Sequence, residues 1–340
     1  MTLSALAPAA ALTLSPDVRP RCLRLLVNHR SGRNAKDPKQ RAALVSAFDG
    51  LGEVAQTEDE EGLSTVLHRW KAEGVDLLAI SGGDGTMQRA LVGLRAIWGP
   101  EPLPSLLLLH GGTSGLVPRS AGVRSSVQAV GRLREAMQGG RPLDVQPFPT
   151  LLIGDRPAFT VGLGAFHRVA LQYVERGRRG EADHVRIGLR LFGSWLAGGG
   201  FSRRMLEPLP FVVRLGDREF AAGDLMGVHI SALDHFLLHT YRRIARDAVG
   251  LRVVALAPMD RWTMLRGFVP LGAGRFPLPR AMAVTAVPTV TLEATEGPIE
   301  YMADGEFYAD EGPLTIGPGI VLSVVRTSGP DRRIDAPKPG

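Results

Sequence analysis

The feature that most constrains this chain is an apolar run that stops in a glycine-rich turn. Residues 76–86 read Asp-Leu-Leu-Ala-Ile-Ser-Gly-Gly-Asp-Gly-Thr, which is typical of a short buried strand followed by a turn in which glycines let other groups approach the backbone closely. Residues 87–94 are compatible with a helix, whose N-terminus would face the same point and favour an anion. The turn therefore predicts a phosphate-binding loop, although a simple Asp-Gly turn would use the same residue types.

Asp84 provides this loop with a carboxylate that can take part in a reaction. A carboxylate beside a phosphate is electrostatically unfavourable unless it helps to hold Mg²⁺ or takes a proton from an attacking hydroxyl. Its presence in a glycine-rich turn therefore favours phosphoryl transfer over passive binding of an anion.

Length and composition are compatible with a two-domain enzyme. The chain has 340 residues, of which 44% are hydrophobic and 22% are charged, so it can bury a substantial core. Its formal charge is +6, and nearly all of its basic residues are arginine. Such a surface favours phosphate or an anionic membrane, although a high arginine content can equally follow from the base composition of a genome. Cys22 is the only cysteine, so the chain has no intrachain disulfide and fits a cytoplasmic protein.

The first half of the chain alternates strand and helix patterns, which predicts an N-terminal doubly wound parallel sheet of the α/β class. The predicted strands are residues 23–28, 53–56, 77–80 and 106–109, and the predicted helices are residues 38–48, 62–72, a helix from residue 86, and 127–137. Ligands bind at the carboxyl ends of the strands in such sheets. Asn28, residues 82–86 and residues 111–115 follow three of these strands, so we expect the three turns to meet in one crevice.

Beyond residue 142 short strand patterns separated by proline and glycine predominate, which predicts a C-terminal antiparallel β-sandwich domain. The predicted strands are residues 148–153, 158–163, 211–215, 227–231, 251–257, 283–287, 290–294 and 320–325, and a helical stretch at residues 166–197 interrupts them. The predicted organisation is a disordered leader over residues 1–20, a nucleotide-binding α/β domain over 21–144, a β-rich domain over 145–327 and a flexible tail over 328–340.

Four segments, in this order, resemble the diacylglycerol kinase catalytic-domain family, which includes sphingosine and ceramide kinases. Residues 25–32 (LLVNHRSG) resemble the Asn-Pro-x-Ser-Gly turn at the first strand of these lipid kinases. The loop at residues 82–86 is shared by that family and by NAD kinases. Residues 106–120 (LLLLHGGTSGLVPRS) resemble the Pro-x-Gly-Thr-x-Asn-Asp-x-Ala-Arg-Ser segment of the lipid kinases, and residues 304–306 are similar to their late Asp-Gly-Glu. The flanking segments therefore favour the lipid kinases over the NAD kinases.

The resemblance implies an ATP- and Mg²⁺-dependent lipid kinase, with the lipid site in the second domain. Asp84 would assist Mg²⁺ or orient the acceptor, Asp304 would be the base, and Glu306 would support the metal or a phosphate-binding water. The implied nucleotide-binding residues are Asn28, Ser31, Gly32, Gly82, Gly83, Gly85, Thr86, Gly112 and Thr113. Without the resemblance, a hairpin turn between residues 299–301 and 307–308 accounts equally well for Asp-Gly-Glu.

The chain departs from the family pattern at several positions. His29 and His110 stand where proline is usual, and Gly115 and Leu116 stand where the family has Asn-Asp. The loss of a polar side chain at residues 115–116 would lower the affinity for the nucleotide or change which nucleotide is bound. The two histidines would either contact phosphate or replace proline as structural residues only.

A stretch rich in arginine and apolar residues predicts contact with a lipid surface. It contains Arg178, Arg179, Arg186 and Trp195, a mixture suited to an anionic bilayer, although a solvated helix face over an ordinary core would have the same composition. The chain has no apolar run long enough to span a membrane, and no recognised nucleic-acid module is present. We therefore expect a cytoplasmic protein with a lipid substrate and no nucleic-acid partner; peripheral contact with the inner face of the membrane and a homo-oligomer are both compatible with the sequence.

Two other functions fit parts of the pattern. A nucleotide- or lipid-binding protein that has lost turnover would account for Gly115 and Leu116. A soluble-metabolite kinase resembling NAD kinase would account for the glycine loop, but it fits the Asn28 turn and the late Asp304 less well. If the protein is a lipid kinase, the expected acceptor is a diacylglycerol- or sphingosine-like alcohol.

Overall fold

The computed structural model describes residues 19–112, 115–175, 181–233, 250–258, 282–294 and 296–327. The chain divides into two compact units. Unit 1 comprises the residues up to Phe148 and those from Ile320 onward, and unit 2 is Pro149–Gly319. The predicted tail lies outside the described residues, as does the predicted leader apart from residues 19 and 20.

Unit 1 alternates strands and helices along the chain, as the sequence pattern predicts. Its strands are β1 (Leu23–Asn28), β2 (Gly52–Thr57), β3 (Leu77–Gly82) and β4 (Ser105–His110). Its helices are α1 (Gly32–Lys36), α2 (Pro38–Phe48), α3 (Glu60–Ala72), α4 (Asp84–Trp98), α5 (Leu116–Ser120) and α6 (Ser126–Gln138). The sequence pattern does not predict α1 and α5, because each has only 5 residues and cannot show a helical period.

The strands of unit 1 form a parallel sheet in the order β2-β1-β3-β4. Every residue of β3 is buried, which explains why its sequence is a continuous apolar run rather than an alternating one. On one face of the sheet, Leu25 and Leu109 share a core with Phe48 of α2 and Leu133 of α6. The predicted doubly wound architecture is confirmed, and the carboxyl ends of β1, β3 and β4 lie at the same edge of the sheet.

Short strands predominate in the described part of unit 2. The strands that lie in this unit or cross its boundaries are β5 (Val145–Ile153), β6 (Arg156–Ala158), β7 (Thr160–Gly164), β8 (Phe211–Leu215), β9 (Arg218–Phe220), β10 (Gly227–Ser231), β11 (Leu251–Leu256), β12 (Met282–Val287), β13 (Val290–Ala294), β14 (Ile299–Ala303), β15 (Glu306–Asp310) and β16 (Leu314–Val325). The helices are α7 (Ala165–Glu175), α8 (Glu181–Leu196) and α9 (Gly200–Met205).

Two antiparallel layers enclose the core of unit 2. One layer is a 6-stranded sheet in the order β12-β11-β10-β7-β14-β15. The other contains β9, β8 and β13, and β13 pairs with the first residues of β16. Val228 and Ile230 of β10 share a core with Val213 of β8 and Leu292 of β13. The predicted antiparallel β-sandwich is therefore confirmed.

The largest differences between the predicted elements and the structure are in the second half of the chain. The strand predicted at residues 158–163 is divided at Phe159 into β6 and β7, and the helix predicted at residues 166–197 is divided into α7 and α8. The last strand begins at Leu314 instead of residue 320, and near its end Val324 pairs in parallel with Leu106 of β4. The end of β16 thus belongs to unit 1, because a pairing partner distant in sequence decides where a strand lies.

His229 in β10 is a titratable side chain in the interior of unit 2. It is 5% exposed, and its ring centre lies 5.5 Å from that of Phe166. Burial lowers the pKa of His229 to about 3. Because the unfolded chain binds a proton on a histidine below about pH 6.5, the contribution of this side chain to stability falls as the pH decreases from about 6.5 toward 3.

We expect His229→Gln to weaken the pH dependence of unfolding, because glutamine does not titrate. The pKa of His229 is far below that of a histidine in the unfolded chain. Between about pH 7 and about pH 5, the free energy of unfolding of the wild type should therefore fall by about 2 kcal/mol more than that of the variant. Urea denaturation at both pH values measures this difference, with the exposed His68→Gln as the control. An equal pH dependence in the wild type and His229→Gln would contradict the shifted pKa.

Candidate functional site

Two glycine turns touch each other at the carboxyl edge of the parallel sheet of unit 1. The Gly111 N–H donates a hydrogen bond to the Gly82 carbonyl at 2.9 Å. A Cβ atom on Gly112 would lie only 2.3 Å from the Cα of Gly83, so no side chain fits there. The turns after β3 and β4 are therefore held together by direct contact between their backbones.

The turn after β1 joins the same edge. Ser31 Oγ lies 2.9 Å from the Asn28 carbonyl and 2.8 Å from the Gly111 carbonyl, and can donate to either. Asn28 Nδ2 donates to Thr86 Oγ1 in the first turn of α4 at 3.0 Å. The expected convergence of the three turns is thus present in unit 1, and the side chains of Asn28, Ser31 and Thr86 hold it.

The start of α4 explains why the first position of the motif, Gly82, has to be glycine. Gly83 is the residue before the helix, and Asp84, Gly85 and Thr86 form its first turn. A Cβ atom on Gly82 would lie 2.4 Å from both Cβ and Cγ2 of Thr86. A larger residue at position 82 would therefore displace the threonine that Asn28 binds. Backbone N–H groups of a helix N-terminus remain directed toward this turn, which is the arrangement that binds a phosphate.

Asn34 is a residue of this site that the sequence analysis does not identify. It is 5% exposed, and its Nδ2 lies 2.9 Å from the Asn28 carbonyl and 3.2 Å from Ser81 Oγ. The backbone N–H groups of Arg33 and Asn34 both donate to the Gly111 carbonyl, at 2.9 and 3.0 Å. No sequence signal marks Asn34, because its role depends on α1 lying across the ends of β1, β3 and β4.

The Asp84 carboxylate binds backbone groups on the far side of the loop. Its Oδ1 accepts from the Val117 N–H at 3.1 Å, and its Oδ2 accepts from the Leu116 N–H at 3.4 Å. Asp84 also lies in the first turn of α4, where a negative charge is stabilised by the helix dipole. The structure therefore places Asp84 as a link between α4 and the chain segment that departs from the family pattern.

Positive charges act on His110, the last residue of β4. Burial is the main cause that lowers the pKa of His110, and the guanidinium groups of Arg119 and Arg33 lower it further, against the opposing effects of the Val123 carbonyl and of Asp84. Both arginines are exposed. Two guanidinium groups close to His110 and a carboxylate produce an environment that attracts phosphate.

A metal ion at this loop would have a single protein carboxylate as its ligand. Within the described ranges, no group of three or more His, Cys, Asp or Glu side chains is placed to hold a metal ion. Magnesium needs no such group, because it commonly binds one or two carboxylates and takes its other ligands from substrate phosphates and water. Asp84 fits that arrangement as a single protein carboxylate beside a phosphate-binding turn.

Asp304 and Glu306 lie in unit 2, in the tight hairpin between β14 and β15. Asp304 has a φ of +50° and Gly305 a φ of +94°, as a two-residue hairpin turn requires. The Asp304 carboxylate is buried and accepts from the Phe159 N–H, from the Thr160 N–H and from Thr160 Oγ1, at 2.8, 2.8 and 3.0 Å. The hairpin turn considered from the sequence is therefore present, and Asp304 attaches it to the corner between β6 and β7.

The remaining predicted site residues lie in other parts of the chain, some of them outside the residues that the structure describes. Thr113, Arg178 and Arg179 lie outside the described residues. Gly32 is the first residue of α1, Arg186 is exposed, and Trp195 is partly buried. Among the helices described, none is both long enough and apolar enough to cross a membrane.

We expect Thr86→Val to destabilise the site, because valine keeps the shape of threonine but cannot accept the hydrogen bond from Asn28. The free energy of unfolding should fall by about 1–2 kcal/mol, the cost of an unsatisfied, partly buried donor. Thr86→Ser is the matched control, since it retains the hydroxyl. Denaturant unfolding of the three proteins measures the effect, and equal losses in both variants would show that the hydroxyl is not what matters.

Comparisons with known proteins agree with the resemblance. Residues 22–145 match the family model of the diacylglycerol kinase catalytic domain. A solved structure of a diacylglycerol kinase from Bacillus anthracis str. Sterne is similar to this chain, with 14% identity and a TM-score of 0.60, over 91% of this chain and 98% of that one. A second solved structure from that strain, provisionally assigned as a diacylglycerol kinase, has 16% identity and a TM-score of 0.64 with the same coverage. The curated proteins contain no significant match.

The resemblance inferred from the motifs is therefore confirmed over residues 22–145. The structural similarity extends over both units, and at such low identity it shows that the fold is shared. The roles of individual site residues stay predictions.

Proposed function

We propose, from the diacylglycerol kinase catalytic domain that residues 22–145 match, that this protein is a kinase that transfers the γ-phosphoryl group of ATP to the hydroxyl of a lipid. The observation that carries this proposal is the geometry of the glycine turns at the edge of the parallel sheet, with Asp84 in the first turn of α4. A turn of this kind can bring backbone N–H groups to a phosphate. Phosphoryl transfer also needs a group that orients a metal ion or the attacking hydroxyl, and the Asp84 carboxylate can supply it.

The phosphates would bind at the N-terminus of α4. Gly82 and Gly83 contribute no side chain of their own to the turn, so backbone groups can approach a phosphate closely, and the helix dipole favours the negative charge. Arg33 and Arg119, whose charges act on His110, would attract the polyphosphate and offset its charge. These groups are in place before the ligand binds, so they contribute to transition-state stabilisation without reorganisation.

Magnesium would be held beside Asp84. When bound, the ion would offset the negative charge of the phosphates during transfer. Asp84 accepts hydrogen bonds from Leu116 and Val117, which restricts the carboxylate to one orientation. Its proposed role is to orient this ion or the lipid hydroxyl.

Asp304 and Glu306 are the proposed carboxylates for the lipid hydroxyl. Asp304 is 5% exposed and accepts three hydrogen bonds from Phe159 and Thr160, whereas Glu306 is less buried. The hydrogen bonds of Asp304 therefore hold the hairpin in place, and Glu306 lies directly after the turn, at the start of β15. As the base, Asp304 would receive the proton that the hydroxyl loses on attack at the γ-phosphorus.

The test of the proposed function is incubation with radiolabelled γ-phosphate ATP, Mg²⁺ and a panel of diacylglycerol, monoacylglycerol, ceramide and sphingosine in detergent, followed by organic extraction. Label in an organic product supports a lipid kinase and identifies the acceptor. Binding of ATP without labelled lipid would favour a protein that has lost turnover, as the departures at Gly115 and Leu116 suggest. Label in NAD supplied in a parallel incubation, with none in the lipids, would favour the kinase class that resembles NAD kinases.

Asp84→Asn should lower lipid phosphorylation by about a hundredfold or more, because the amide cannot supply the negative charge that orients a cation or a hydroxyl. The fold should be retained, since asparagine keeps the size of the side chain and one oxygen that can accept from Val117. Turnover and the unfolding midpoint are measured together, with Asp76→Asn at the other end of β3 as a charge-matched control. Undiminished turnover in Asp84→Asn would overturn the role of this carboxylate.

We also propose that α8 contacts the surface of an anionic membrane. From residue 186 onward, where the structure describes side-chain burial, the exposed positions of α8 follow a helical spacing and are Arg186, Leu189, Arg190, Gly193 and Leu196. Leu189 is 66% exposed and Leu196 is 41% exposed, so the outer stripe of the helix combines large apolar side chains with guanidinium groups. Arginine favours anionic lipid headgroups and leucine favours the interface, whereas a simply solvated helix face has no need of exposed leucines.

Replacement of Arg186 and Arg190 by Gln, together with Leu189→Ser, should lower partition onto phosphatidylglycerol vesicles about tenfold or more at low salt. Vesicle co-sedimentation measures the partition, and neutral phosphatidylcholine vesicles show how much of it depends on charge. Val92→Ser is the control, because Val92 is an exposed apolar residue of unit 1, 40% exposed. If the triple variant partitions as the wild type does, α8 is a solvated face.

A further inference from the structure

Two departures from the lipid-kinase sequence pattern occupy the same space in unit 1. His110 ends β4, where the pattern has proline, and Gly115 precedes α5, where it has asparagine. A Cβ atom placed on Gly115 would lie 2.2 Å from His110 Nδ1 and 2.6 Å from His110 Cε1. Any side chain at position 115 would thus collide with the imidazole.

The imidazole cannot move aside without loss of other interactions. His110 Nε2 lies 2.7 Å from the Val123 carbonyl, and Ser126 Oγ donates to the His110 carbonyl at 3.0 Å. His110, Val123 and Ser126 are all buried. The ring and its backbone are therefore both held, and the contact with Gly115 is a property of the packed structure.

The position of Gly115 determines how Asp84 is held. Gly115 adopts the left-handed conformation, with φ +57° and ψ +36°, and the next two N–H groups, of Leu116 and Val117, are those that bind the Asp84 carboxylate. A shift of Gly115 would move both donors. His110 therefore acts on Asp84 indirectly. It contacts Gly115, and the N–H groups of the next two residues bind the Asp84 carboxylate.

We propose that His110 and Gly115 form a coupled pair, in which the imidazole takes the place of a side chain at position 115 and sets the position of the N–H groups that hold Asp84. His110 is then a positioning residue for the nucleotide loop, a role that rests on the proposed function. One consequence is contrary to the family pattern: asparagine at position 115 should harm this protein as long as His110 is present.

The test is a double-variant cycle of Gly115→Asn, His110→Ala and the two combined. Asparagine tolerates the left-handed conformation better than other residues with a side chain, so Gly115→Asn mainly introduces the collision. Gly74→Asn is the control, because Gly74 has a φ of +72° and nothing within 4 Å of a Cβ atom. The dissociation constant of Mg²⁺-ATP is measured by calorimetry, KM for ATP and kcat by the kinase assay, and stability by denaturant unfolding.

Gly115→Asn is expected to weaken Mg²⁺-ATP binding at least tenfold, with Gly74→Asn within twofold of the wild type. In the His110→Ala background the same Gly115→Asn change should cost less than threefold, since the atoms it would meet are gone. Equal losses in both backgrounds, or a loss in stability alone with unchanged ATP affinity and KM, would overturn the proposal.

Failure to fold is also informative. If Gly115→Asn does not fold alone, folding of the combined variant supports the coupling, and failure of both overturns it. Absence of ATP binding by the wild type would instead overturn the proposed function, which separates that failure from failure of the coupled pair.

Discussion

The close approach of two glycine backbones at the edge of the parallel sheet is the constraint on which the rest of the site depends. Gly82 and Gly83 touch Gly111 and Gly112 without space for a Cβ atom at most of these positions. That contact brings the first turn of α4 beside the loop that leads to α5, and it lets Asn34 bridge the ends of β1 and β3. The packing thus leaves backbone atoms, rather than side chains, at the surface that we propose for the phosphates.

Charged side chains of both signs accompany these glycine turns. Asp84 is a carboxylate whose hydrogen bonds with Leu116 and Val117 fix its direction. Arg33 and Arg119 are close enough to influence His110, so negative and positive groups flank the same turn. An arrangement of this type is suited to a polyphosphate with a cation.

Unit 2 shows that a short motif can have a structural role alongside a proposed chemical one. Asp304 adopts a left-handed backbone conformation, binds Phe159 and Thr160, and begins a two-residue turn. The same residue would close the hairpin whether or not it receives a proton. For this reason the Asp-Gly-Glu sequence alone could not distinguish a turn from an acidic site.

Local sequence determined the strands β1, β3 and β4, the glycine turns after them and most of the longer helices, because apolar periodicity and glycine content act over a few residues. It also determined that Asn28, Asp84 and Thr86 would lie at one edge, since parallel strands end on the same side. Only the tertiary structure decided that Asn34 joins the site, that Asp84 binds the start of α5, that β16 pairs with β4, and that His110 fills the space at Gly115. The first three features depend on contacts between residues distant in sequence, and the position of the His110 ring depends on its contact with the Val123 carbonyl. Such contacts form only when the core packs.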